Sequence, residues 1–106
     1  MTFQQIIQKA LAVRQKYFQL EKEKYGREWT PQELMSGFVG DVGDLSKLIQ
    51  AKSGVREIDD VDEKLKHELS DCLWSIIILA DQYNIDLEKE FGQTMNSLEE
   101  RISNEA

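Results

Sequence analysis

Two pairs of carboxylates, Asp41-Val-Gly-Asp44 and Glu68-Leu-Ser-Asp71, interrupt runs whose other residues demand a hydrophobic core. Members of each pair stand three residues apart, so on a helix both project from one face, one turn apart. At roughly 100° per residue, Asp41 and Asp44 share their face with Phe38, Leu45 and Leu48. Glu68 and Asp71 share theirs with Leu65, Cys72 and Leu79. Carboxylates are almost never fully buried unless paired or bound to a metal. Packing the two apolar stripes together therefore brings four acids to one place. Lysine reaches these faces only at their ends, at Lys52 and Lys64. An oxygen-only donor set suits Mg²⁺ or Mn²⁺.

The rest of the chain reads as helix. Thr2 with Gln5 is a capping box that opens a first helix, 3–25, ended by Gly26. Thr30-Pro31-Gln32-Glu33 combines a cap, a proline at the first helical position and the reciprocal acid, and predicts a second helix over 31–51. Gly37, Gly40 and Gly43 recur inside it; each costs about 1 kcal/mol against alanine, which points to close backbone approach by another helix. Asp60 with Glu63 predicts a capped third helix, 61–83, apolar nearly all round from Leu73 to Ala80 and hence central, with Asn84 ending it in the left-handed conformation. Asp86 caps a fourth, 87–102, through Leu87, Phe91, Met95, Leu98 and Ile102, with fraying beyond. Met35 and Met95 read as core. One proline among 106 residues and short connections make this an all-α, four-helix bundle in one domain.

The net charge of −7 excludes general nucleic-acid and anionic-membrane surfaces, though not a nucleotide whose charge a metal offsets. The longest apolar run is too short to span a bilayer, and no signal peptide is visible. Cys72 reads as a buried thiol in a reducing cytoplasm, not a nucleophile, because His67 falls on another side of the helix. His67 also precedes Glu68 directly, the wrong offset for a di-iron Glu-x-x-His element. Carboxylate-held Mg²⁺ binds substrate phosphates and polarises phosphoryl oxygens, which points to metal-assisted hydrolysis of a phosphoanhydride.

Phe38-Val-Gly-Asp-Val-Gly-Asp-Leu-Ser-Lys-Leu-Ile-Gln-Ala-Lys52, followed by His67-Glu-Leu-Ser-Asp-Cys-Leu-Trp74, resembles the all-α nucleoside triphosphate pyrophosphatases, in particular their MazG-like and dCTP pyrophosphatase branch. The resemblance covers about 30–102. It implies Mg²⁺-dependent cleavage of a (d)NTP to (d)NMP and pyrophosphate, in nucleotide-pool house-cleaning, with metal ligands at Asp41, Asp44, Glu68 and Asp71. It also implies a homodimer or a dimer-of-dimers tetramer, since helices of two subunits complete each pocket. Departures accompany the match: two aspartates where the first pair is usually glutamate, Ala51 and Ser75 where aromatics are usual, and Thr94 and Leu98 where lysine and asparagine are usual. The metal half of the site matches and the base-recognition half does not, so either the substrate differs from dCTP or the activity is weak. Trp29, near the place of a family tryptophan, is available for loop packing or for stacking on the base; Lys52 and Lys64 for a triphosphate or for solvent. Trp74 reads as core. The alternative is a non-catalytic bundle retained as a nucleotide-sensing or partner-binding dimer.

Overall fold

In the computed structural model, which describes residues 1–105, four helices follow one another: α1 (Phe3–Tyr25), α2 (Pro31–Lys52), α3 (Val61–Gln82) and α4 (Leu87–Glu105). No strand occurs among the described residues. The all-α, four-helix class expected from the pattern is the one observed.

Local chemistry sets most boundaries. Both capping boxes form: the Thr2 hydroxyl accepts from Gln5 N–H and the Thr30 hydroxyl from Glu33 N–H, while each glutamine or glutamate side chain accepts from its cap's N–H. Arg27 grips Glu33 with two nitrogens, at 2.6 and 3.0 Å. With the Thr30 N–H it holds the Glu33 carboxyl down at about 2. Gly26 (φ 76°) and Asn84 (φ 57°) close α1 and α3 in the left-handed region, as expected. Asp86 Oδ1 accepts from Lys89 N–H at the start of α4. Asp60 departs from expectation. It sits at φ 54° and makes no side-chain cap, because the left-handed backbone turns its carboxylate away from the first free N–H groups.

The packed part of the molecule is α2 against α3, with α1 laid more lightly on α3's other side. α3 is thus central, as its all-round apolar segment predicted. Its Ile77 and Ile78 are each 3% exposed, and with Leu48, Cys72 and Ala80 they form the core. The Trp74 indole N–H donates to the Ala10 carbonyl (3.1 Å), stitching α3 to α1. Ile78→Ala is expected to lower the unfolding free energy by about 2–5 kcal/mol, measured by urea denaturation.

α4 barely touches the rest of the chain. Its stripe of Phe91, Met95, Leu98 and Ile102 stays open to solvent, Phe91 by 58%. Met35 and Met95, expected in the core, are exposed for the same reason: no helix of this chain covers them. Nor does another helix approach Gly37, Gly40 or Gly43, where a β-carbon would meet nothing within 4 Å. The radius of gyration is 17.0 Å, against about 13 Å for a compact chain of this length. Among the described residues no helix is long and apolar enough to cross a membrane.

Candidate metal centre

The antiparallel run of α2 and α3 sets their two acid pairs side by side midway along the contact. One oxygen each from Asp41, Asp44 and Glu68 lie within 4.8 Å of one another. Asp71 is not in that group; its Oδ2 lies 3.1 Å from His67 Nε2, one turn back on α3. It is nevertheless close enough to bear on its neighbours. Burial pushes the Asp41 carboxyl above the ordinary range, and the charges of Asp71 and Asp44 push it further. Burial likewise raises Glu68, with Asp41, Asp71 and Asp44 adding to it, and His67 opposes both shifts.

His67 on Asp71 is the one basic side chain among the described residues that pairs with these acids. No lysine or arginine among the described residues forms an ion pair with any of the four acids. Lys52, expected on the acid face, donates to Asp62 in the first turn of α3 at 2.6 Å. Glu68 Oε2 is buried without a hydrogen-bond partner. A buried carboxylate oxygen left unpaired costs about 1–3 kcal/mol or more, and a hard divalent cation is a partner that removes the cost. The residues present therefore fit Mg²⁺ or Mn²⁺.

An open cleft of about 490 Å³ lies beside the acids toward the N-terminus of α3. Asp44 and Glu68 form one wall, Leu48 and Ile58 are apolar lining, and Lys47 and Lys64 present cations that no carboxylate engages. Lys64 thus lines the same cleft as Asp44 and Glu68. Lys47 escaped the sequence reading, although its place three residues after Asp44 on one helix face was a usable signal.

Toward the other end of α3 the surface turns aromatic. A groove of about 410 Å³, lined by Asp71, Trp74 and Tyr17, shares Tyr17 and Trp74 with one of about 440 Å³ that Tyr25 and Trp29 also line. Trp74 packs against α1 with its ring 5.7 Å from Tyr17, yet it is only partly buried and lines both grooves, where a core residue was expected. Trp29 is half exposed at the far end of this groove and is not among the residues of the lysine cleft. Cys72 is buried, and burial together with Asp41, Glu68 and Asp71 raises its thiol, so it is held protonated and unreactive.

A family model described as the MazG nucleotide pyrophosphohydrolase domain matches residues 29–104. Neither a curated protein nor a solved structure matches. The matched span contains all four acids and begins after α1.

Proposed function

The chain belongs to the MazG nucleotide pyrophosphohydrolase domain family, and from that premise we propose that it hydrolyses a nucleoside triphosphate between the α- and β-phosphates. The products are a nucleoside monophosphate and pyrophosphate, and the role is removal of unwanted nucleotides from the cytoplasmic pool. The observation that carries this reading is the convergence of Asp41, Asp44 and Glu68 within 4.8 Å with no protein cation to balance them. These three residues would hold Mg²⁺, or Mn²⁺, with Asp71 beside them. Such an ion supplies Lewis acidity toward a phosphoryl oxygen and an attacking water.

The order of groups along α3 supports one direction for the substrate. Lys64 precedes Glu68 by about 6 Å of helix rise, and Trp74 follows it by about 9 Å. Lys47 and Lys64 then face the β- and γ-phosphates, the acids flank the α-phosphate, and the groove from Asp71 to Trp29 receives the nucleoside. Lys52, engaged by Asp62, has no part in this arrangement. The uncovered α4 stripe, the open glycine row and the large radius of gyration support a homodimer or a dimer of dimers.

Incubation with a panel of (d)NTPs and Mg²⁺, with pyrophosphate release as readout, is expected to give turnover on at least one. A second reading, nucleotide binding without turnover, is favoured by one observation: Asp71 pairs with His67 and lies outside the three-oxygen group. Calorimetry showing Mg²⁺-dependent nucleotide binding, together with no pyrophosphate from any nucleotide, would select it.

A further inference from the structure

The least economical feature of the fold lies outside the acids. Arg14 and Glu21, two turns apart on one face of α1, form an ion pair at 2.9 Å with side chains only 6% and 9% exposed. Taking two charges out of water costs several kcal/mol per ion, and well-packed apolar residues often serve stability as well. The pair is also incompletely satisfied, since Arg14 Nε lacks a hydrogen-bond partner. Stability of α1 alone does not account for it.

What the pair reaches is Trp29. Glu21 Oε1 accepts from Arg14 (3.2 Å) and from the Trp29 backbone N–H (3.1 Å), eight residues on and across the turn at Gly26. Immediately after Trp29 the capping box of Thr30 and Glu33 fixes the chain again. Trp29 is therefore pinned on both sides, by Glu21 before it and the helix cap after it. The Arg14 guanidinium is itself held 4.0 Å over the Phe18 ring, which orients the fork that grips Glu21. The residue so pinned borders the aromatic groove with Tyr17, Tyr25 and Trp74, and two of these, Tyr17 and Trp74, also line the groove that contains Asp71.

We infer that Glu21 is a positioning residue whose Oε1, by holding the Trp29 backbone N–H, sets Trp29 against the nucleoside and so supplies the base-dependent part of substrate affinity. The inference rests on the proposed nucleotide reading. It also concerns residues of α1, outside the span matched to the family. Its chemistry is one acceptor oxygen holding one backbone N–H, and a ring placed for offset stacking on a base.

The test compares two variants that differ only in that acceptor. R14M/E21Q removes both charges but leaves a side-chain oxygen for the Trp29 N–H; R14M/E21L removes the oxygen too. Binding of the nucleoside triphosphate best bound by the parent, and of inorganic tripolyphosphate, is measured by calorimetry with Mn²⁺ or Mg²⁺, beside a thermal melt of each protein. The parent is expected to bind the nucleotide more tightly than tripolyphosphate. R14M/E21Q is expected to keep that ratio, and R14M/E21L to lose about tenfold in nucleotide affinity with tripolyphosphate affinity unchanged. Equal nucleotide affinities in the two folded variants would overturn the inference, as would a parent that binds both ligands alike. A parent that binds neither ligand overturns the nucleotide reading itself and this inference with it. Should R14M/E21L fail to fold, Glu21→Asp takes its place. It keeps a charge for Arg14 while drawing the acceptor back by one methylene, and is expected to show the same selective loss; an unchanged ratio there overturns the inference.

Discussion

Glu68→Gln is expected to do two opposite things: to abolish pyrophosphate release and to make the metal-free protein more stable. Loss of turnover should be about 100-fold or more, the scale on which one group stabilising transition-state charge registers. The stability gain follows from proton linkage. Burial first, then Asp41, Asp71 and Asp44, raise the folded-state Glu68 carboxyl above its unfolded value. The folded state thus binds the proton more tightly than the unfolded chain does. The cost of the ionised form is absent below the unfolded value, grows as pH climbs through the interval up to the folded value, and is full at neutrality. Glutamine removes it. In the parent, by the same sign, metal-free stability should fall as pH rises through that interval, with Asp41 contributing likewise. Divalent ion reverses the order: at 100 times its Kd it should stabilise the parent by about 2.7 kcal/mol and the variant hardly at all. Thermal melts across pH, with and without Mg²⁺, check all of this. A variant that melts like the parent in both conditions would count against the acids as a metal site.

Phe91→Glu, or Leu98→Glu, is expected to break the proposed assembly and with it much of the fold's stability. Among the described residues five apolar side chains are buried and none covers the α4 stripe. Such a chain gains little by folding alone, so its stability should be tied to protomer concentration. For the parent, sedimentation should give a dimer or larger species and a melting temperature that climbs with concentration. A buried carboxylate in the interface, with no partner, costs several kcal/mol, enough for a drop of 100-fold or more in association. The variants should sediment as monomers and melt well below the parent, independent of concentration. Unchanged mass and melting would remove the stripe from any interface.

Signals that act within one turn of chain were legible before any coordinates. Thr2 with Gln5, Thr30 with Glu33, Gly26 and Asn84 each set a boundary through groups three or four residues away, and each appears where it was expected. The two acid pairs were legible for a related reason: their spacing puts them on helix faces that also carry the apolar stripe. What failed depended on choices between distant partners. Lys52 had acids on its own face, yet its ammonium pairs with Asp62 in the first turn of α3. Asp60 had the composition of a cap but lies in a turn that needs the left-handed conformation there. Met35, Met95 and the glycine row read as interior because a pattern records that a face is apolar, not which molecule covers it. Arg14 and Glu21 stand seven residues apart, two turns on one face. That spacing was available, but nothing in it announces that both charges are withdrawn from water.

The light seating of α1 on α3 has an evolutionary corollary. The carboxylates ride on α2 and α3, whereas half of the aromatic wall belongs to a helix anchored mainly by Trp74 and a few apolar neighbours. Substitutions along α1 can reshape what lies opposite Trp29 while leaving Asp41, Asp44 and Glu68 undisturbed. On the proposed reading, such a scaffold can exchange its preferred nucleoside by altering a single rod while the acid cluster is left intact.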